Sequence, residues 1–368
     1  MEQLAEVDQT LPSTKGIGNI VINYSGYDKP IDAIPIKLGD GKTYLLTNIR
    51  ACGPNSRLIL QDLNGITIKE LMNFGYEKGE VTVDNDNIYV FTLNTDNPMF
   101  YIIDKRTLEL RYEKPIGKSR IQSVCCNEKE LFTFDLDNAE VQRRDKEGNI
   151  LSTIDTTKKF KNSSSVGITK VYSTSEGFHF ATVGEFGINN RFRKECEEKF
   201  GKEFMDLNKD MENIAFDESS KTLFVASRNI IFVSSQSEIK GIMYFPDKSI
   251  RGLSVDPNTN SLIISSNNCP DADMSAYSFH PGGSLEILPI SMVLDRIKES
   301  EAFLIARNQN KKLMDLRHKI EDKSNGDIDQ MILLLQELNN KRTSSDSDLS
   351  TIEDKNMSDS YHPNRHSK

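Results

Sequence analysis

A short pattern of apolar and polar positions recurs along the middle of this chain. In each copy an apolar-x-apolar segment ends in Asp, a few polar residues follow, and a second apolar run begins. Alternating apolar positions are typical of half-buried strands, and Asp with other small polar residues favours tight turns. Each copy therefore predicts two strands joined by a turn, with the apolar positions in the core. The clearest copies are Val81–Val90, Ile214–Val225 and Leu253–Ile264.

The copies recur at a nearly constant interval. Weaker copies begin near residues 34, 121 and 166. The interval is about 40–45 residues, the length of one four-stranded propeller blade. The spacing therefore predicts a mainly β fold, a β-propeller of about six blades over residues 19–290. We expect the strand at 19–24 to close the ring by completing the last blade, because an open sheet edge invites unwanted strand pairing.

Two segments depart from this repeat. Residues 191–210 are rich in charge and place apolar residues every three or four positions, which predicts a helix inserted in the fourth blade. After Pro289 the apolar period changes from two to about 3.6, beginning with Leu294 and Ile297, which predicts a helical hairpin over 291–340.

The two ends of the chain show no such period. Residues 1–18 are interpreted as an N-terminal arm. Residues 341–368 contain few apolar groups among many Ser, Asp and Asn residues, which predicts a disordered tail.

The apolar-x-apolar-Asp unit resembles the repeat of the six-bladed propeller group that includes NHL-repeat and TolB-like proteins. The best matches are Leu253–Ile264 and Ile214–Val225, and the resemblance covers roughly residues 30–290. It implies the fold but no catalytic residue, because no catalytic motif of a named enzyme family matches this chain.

Composition narrows the class of protein. The chain has 368 residues, a net charge of −9 and no Trp. A net negative charge repels phosphate backbones and argues against nucleic-acid binding, and the absence of Trp argues against a WD-type repeat. No apolar run is long enough to span a membrane. The five irregularly spaced cysteines and the absence of an apolar signal core after Met1 predict a cytoplasmic protein with reduced thiols.

The recurring carboxylates allow two interpretations. Asp84, Asp217 and Asp256 occupy equivalent places, where they would either surround a divalent ion in the channel or stabilise each turn through its own backbone. The turn interpretation is favoured. His179 and His280 lack the spacing of metal ligands, so no His-based metal site is expected.

Two further groups are favoured as structural. Asp135, Asp137 and Glu140 lack the Gly and the terminal carboxylate of a Ca²⁺ loop, so a solvated hairpin is expected. Cys125 and Cys126 are adjacent on a strand, so one thiol should lie in the core and the other should point outward.

These observations favour a non-catalytic propeller scaffold that needs no cofactor and binds a protein or peptide partner. Insertions in repeat proteins cluster on the binding face, which makes the 191–210 helix, with or without the 291–340 hairpin, the candidate contact surface. The alternative interpretation of the 191–210 segment is a packed helix that fills an irregular blade. The alternative is a lactonase-like propeller hydrolase with a divalent ion in the central channel. The acidic tail is open to three interpretations: a phosphorylation site, an export signal of the kind found on bacterial effectors, or a solubilising segment. The candidate partner-binding residues are Arg191, Arg193, Lys194, Lys199 and Lys202.

Overall fold

The structure of this protein is a computed structural model. It describes residues 19–323 except 27, 52–54, 76–78, 93–96, 156–167, 175–176, 183–189, 203–204, 206–212, 236–237 and 269–281. The chain divides after Leu304 into two compact units. All of the sheets belong to the first unit, and the described residues of the second unit are helical.

Five antiparallel four-stranded sheets form the blades of a β-propeller, and each is built from consecutive strands except the last. The first blade contains β2 (Lys29–Lys37), β3 (Thr43–Arg50), β4 (Ser56–Gln61) and β5 (Thr67–Gly75). The second contains β6 (Gly79–Val83), β7 (Asn87–Thr92), β8 (Met99–Asp104) and β9 (Leu110–Pro115). The third contains β10 (Ile121–Cys126), β11 (Leu131–Asp135), β12 (Glu140–Arg144) and β13 (Ile150–Asp155).

The remaining strands complete the ring. The fourth blade contains β16 (Asn213–Asp217), β17 (Thr222–Ser227), β18 (Ile230–Ser235) and β19 (Glu238–Tyr244). The closing blade contains β20 (Lys248–Asp256), β21 (Ser261–Asn268), β22 (Gly283–Pro289) and β1 (Ile20–Tyr24). Because β1 pairs with β22 from Ile20↔Ile287 to Tyr24↔Gly283, the predicted closure by residues 19–24 is confirmed.

The predicted number of six blades is wrong, because only five four-stranded blades are present in the described ranges. The unit between the third and fourth blades is a two-stranded sheet of β14 (Ile168–Thr174) and β15 (Gly177–Thr182). Its inner strand β14 lies between β10 and β16. The next described element is a helix, α1 (Asn190–Phe200), where the other units continue with a third strand. The structure thus shows a helix after this sheet, but it does not show an insertion within a complete blade.

Turn chemistry explains the recurring aspartates. Asp84 Oδ1 accepts hydrogen bonds from the backbone N–H groups of Asp86 and Asn87, at 2.9 and 2.8 Å. Asp217 accepts from Ser219 N–H at 3.3 Å, and Asp256 accepts from Asn258 N–H at 2.9 Å. These bonds within each turn confirm the interpretation of the three carboxylates as turn-stabilising groups.

The core lies between neighbouring blades. Each blade is covered on both faces, so side chains that point to either face are buried. Ile88 is buried, and so are Thr82 and Tyr89, which point to the opposite face from the predicted apolar positions. Of the twelve residues at the alternating apolar positions of the three clearest copies, seven are buried: Ile88, Val90, Ile214, Val225, Leu253, Leu262 and Ile264. Five others are half-buried: Val81, Val83, Phe216, Leu223 and Val255.

The C-terminal part of the described chain is a single long helix. A short 3-10 helix (Ile290–Met292) follows β22 and leads into α2 (Val293–Lys323). Ile297 and Leu304 are buried as predicted, but Leu294 is 56 % exposed, and Val293 takes the buried position instead. The second helix of the predicted hairpin lies outside the described residues. The boundaries 1–18, 19–290, 291–340 and 341–368 therefore remain predictions.

Candidate interaction surface

Helix α1 has one buried side and one charged side. Cys196 and Phe200, four residues apart, are buried, and Met205 beyond the helix end is buried too. The first two confirm part of the predicted apolar face, whereas Phe204 and Leu207 lie outside the described residues. Gly201 ends the helix with a φ of 96°, and its N–H donates to Glu197 O at 3.0 Å, as is typical of a helix C-terminus.

The exposed side of α1 carries the described candidates. Lys194, Lys199 and Lys202 are all exposed. Lys199 lies in the last turn of the helix, where a positive charge interacts favourably with the helix dipole. The side chains of Arg191 and Arg193 are outside the described part of the structure. Three of the five predicted contact residues are thus exposed, and Lys202 lies just beyond the end of α1.

The first turns of α2 pack on the outer strand of the fourth blade. Val293 and Ile297 join the hydrophobic core that β18 and β19 also form. The ring of Phe303 stacks on that of Tyr244, with centroids 5.7 Å apart. Gly241 on β19 makes this approach possible, because a Cβ there would lie 2.6 Å from Glu301 Oε1.

Charged groups also interact with the first turns of α2. The Arg296 guanidinium lies over the Phe245 ring at 5.3 Å, a cation–π arrangement. Glu286 of β22 faces Arg296 and Lys248. Burial raises the pKa of Glu286, and these two positive charges oppose that increase. The start of α2 therefore contacts both the fourth and the closing blade.

Glu301 of α2 interacts electrostatically with a charged group of α1. Burial raises the pKa of its carboxyl, while the nearby Lys199 ammonium of α1 and a hydrogen bond from the Ile242 N–H oppose this. Sequence reasoning missed Glu301 and Gly241, because neither belongs to an apolar stripe or a charge cluster. We give the name helical face to the exposed charged residues of α1 and of α2 up to Leu304, together with Lys202 just after α1. Its exposed charged members are Lys194, Glu198, Lys199, Lys202, Asp295, Lys298 and Glu299.

The other candidate groups are structural in the described ranges. Asp135 accepts from the backbone N–H of Asp137 at 3.1 Å and from Gln142 Nε2 at 3.0 Å, so it stabilises a hairpin as expected, but its side chain is buried and not solvated. Among the residues described here, no three His, Cys, Asp or Glu side chains come together as metal ligands would. None of the described helices combines the length and the apolar character needed to cross a bilayer.

The two adjacent cysteines point to opposite faces of the third blade. Cys125 packs with Phe132 and Phe134, whereas Cys126 packs beside Tyr89 and Ile121. The prediction that the second thiol points outward is wrong, because both faces of a blade are covered by neighbouring sheets. Cys126 Sγ lies 3.3 Å from Thr82 Oγ1 of the second blade, and burial raises the pKa of this thiol.

Comparisons with known proteins place the chain only by its fold. No protein-family model and no curated protein matches it. A chain of the mitotic checkpoint complex is similar over 72 % of this chain and 78 % of its own length, with 11 % identity and a TM-score of 0.42. The RRP9 WD40 repeats are similar over 72 % of this chain and 97 % of their own length, with 6 % identity and a TM-score of 0.44. Glutaminyl cyclase of Myxococcus xanthus is similar over 73 % of this chain and 97 % of its own length, with 8 % identity and a TM-score of 0.37.

The class of protein follows from the strand pairing of this chain itself, which defines a β-propeller. The five complete blades depart from the six of the NHL-repeat and TolB-like group that the repeat resembles.

Proposed function

We propose that this protein is a non-catalytic β-propeller scaffold that binds a protein or peptide partner at the helical face. The observation that supports this is the electrostatic interaction of Lys199 on α1 with Glu301 in the first turns of α2. Both elements depart from the repeat and present exposed charged side chains, and α2 packs into the core through Val293 and Ile297. Departures from a repeat are where repeat proteins carry their binding residues.

The composition of the helical face indicates how it would bind. Lysines and carboxylates alternate along it, and at a contact rim such charges increase the association rate and make binding sensitive to salt. The partner would present the complementary pattern of charges. Cytoplasmic location, and export as a bacterial effector, belong to this proposal as further expectations. The lactonase-like hydrolase stays a prediction that the described residues do not test.

The test reverses charge on the exposed side of α1. The double variant Lys194→Glu with Lys202→Glu changes only exposed side chains, so the fold should be kept. Lys118→Glu with Lys129→Glu is the matched control, because these lysines are also exposed but lie elsewhere. Lys118 is in the connection that leads into the third blade, and Lys129 is in the first turn of that blade. Affinity capture from the native cell at one salt concentration is followed by quantitative mass spectrometry.

We expect the α1 variant to lose partners that the parent and the control retain. Recovery of the same partners by all three proteins would show that α1 only fills space beside the fourth blade, and the proposal would then be abandoned.

A further inference from the structure

The outer strand of every blade has one edge that faces away from its own sheet. These strands are β5, β9, β13, β19 and β1. Such an edge presents backbone N–H and C=O groups that another strand can pair with, and folded proteins block it with bulges, charges or proline.

Four of the five outer strands are irregular and charged. The register shifts between Ile102 and Ile103 where β8 meets β9, and similar shifts occur at β5, β13 and β19. Bulges twist an edge away from a flat partner strand, and charged side chains oppose pairing. The charged residues of the four strands are Lys69, Glu70, Arg111, Glu113, Lys114, Asp155, Glu238 and Lys240.

Strand β1 has neither protection. Its pairing with β22 runs without a shift over all five residues, from Ile20 to Tyr24. Its sequence, Ile-Val-Ile-Asn-Tyr, contains no charge and no proline. Val21 is 51 % exposed and Ile20 is 38 % exposed. A flat, uncharged and apolar edge strand is the kind that pairs with another chain.

The surroundings of β1 extend this apolar surface. The turn of the first blade that leads into β5 lies against β1, where a Cβ on Gly65 would be 2.5 Å from Ile22 Cγ2. Gln61 Nε2 and the Tyr24 hydroxyl are hydrogen-bonded at 2.5 Å across the same junction. Ile66 and Ile68, 61 % and 53 % exposed, follow this turn directly. Contiguous exposed apolar side chains of this kind mark interaction surfaces.

We propose that β1 pairs antiparallel with β1 of a second copy of this chain, so that two closing blades form one continuous sheet. A second copy fits because an uncharged strand that meets itself places no like charges opposite one another. Pairing around a two-fold axis covers both edges at once and leaves neither open for further growth. Ile66 and Ile68 of each copy flank the new strand pair. This association is independent of the partner contact at the helical face.

The experiment is sedimentation equilibrium of the full chain. Over concentrations of about 1–100 µM the parent should show a monomer–dimer equilibrium, and Val21→Lys should raise its dissociation constant at least tenfold. Leu110→Lys is the matched control, because Leu110 is 52 % exposed on the bulged edge strand β9. It should leave the constant unchanged. Thermal unfolding checks that each variant is folded.

Three results would overturn the proposal: a monomeric parent over the whole range, a Val21→Lys variant that dimerises like the parent, or a Leu110→Lys variant equally impaired. If Val21→Lys does not fold, Ile68→Lys replaces it, since Ile68 lies outside the strand pair and should still weaken the dimer. A dimer that forms only after removal of residues 1–18 would mean that the arm covers β1, which also overturns the proposal. The Lys194→Glu, Lys202→Glu variant should dimerise normally, so that failure here is separable from failure of the partner contact.

Discussion

Gly241 and Ile297 approach so closely that β19 and α2 have no room for a side chain between them. A Cβ on Gly241 would overlap Ile297 Cγ2. Ile297 is 4 % exposed and belongs to the core that joins the fourth and closing blades. The packing of α2 on the propeller therefore requires that residue 241 of the outer strand β19 has no side chain.

Replacing Gly241 with Ala should displace the start of α2. Overpacking of a well-packed site costs about 1–3 kcal/mol of folding free energy. We expect a lower melting temperature and new protease sensitivity near residues 293–304. Gly117→Ala is the control, since Gly117 also has a positive φ (77°, against 151° at Gly241) and a Cβ there has no atom within 4 Å. Equal melting temperatures for the two variants would contradict the close packing described above.

Val225→Asp should prevent folding of the propeller. Val225 on β17 is 1 % exposed, and an unpaired buried charge costs several kcal/mol against a total stability of about 5–15 kcal/mol. The measurement is soluble yield together with the cooperativity of urea unfolding. Leu110→Asp, at an exposed position of β9, should fold normally. A soluble and cooperatively unfolding Val225→Asp protein would show that β17 is wrongly placed.

Asp84 should contribute to stability in a pH-dependent way. Its Oδ2 accepts hydrogen bonds from Lys146 Nζ at 2.8 Å and from the Tyr89 hydroxyl at 2.7 Å. Burial raises the pKa of Asp84, but these bonds and those from Asp86 and Asn87 outweigh it and leave the pKa below its ordinary value. A carboxyl whose pKa is lower in the folded state stabilises the fold above its unfolded pKa, and this contribution is lost as the pH falls through the folded pKa.

Asp84→Asn should therefore lower the free energy of unfolding by about 1–3 kcal/mol at pH 7, because hydrogen bonds to a charged group are lost. The difference from the parent should stay constant down to about pH 5 and shrink below about pH 4, where the parent's Asp84 becomes protonated. Urea unfolding of both proteins at a series of pH values measures this. A difference that does not change with pH would mean that the charge of Asp84 contributes nothing.

Removal of residues 343–368 should leave stability unchanged. The segment contains too few apolar groups to offset the conformational entropy that ordering it would cost. Calorimetry of the shortened chain and the full chain tests this prediction. A fall in melting temperature of more than about 4 °C corresponds to at least about 1 kcal/mol in a domain of this size, and would show that the tail packs on the folded part.

The sequence by itself determined the local structure of the blades. Alternating apolar residues before and after Asp84, Asp217 and Asp256 were sufficient to predict the hairpins, because strand period and turn chemistry are properties of a few consecutive residues. The closing role of residues 19–24 followed from the repeat, since a ring with an unfilled last blade needs one more strand. The buried face of α1 followed in part from the spacing of Cys196 and Phe200.

Only the tertiary structure decided how these elements meet. Alternation predicts one buried face for each strand, but blades packed on both sides bury Thr82 and Tyr89 as well and cover Cys126. The number of blades was wrong because a repeat in sequence does not reveal that the next described element after β15 is a helix. The packing of α2 on Gly241, the electrostatic interaction of Lys199 with Glu301 and the pairing of β1 with β22 all join residues far apart in the chain. Local pattern carries no information on such contacts, because they depend on which surfaces remain accessible once the ring has closed.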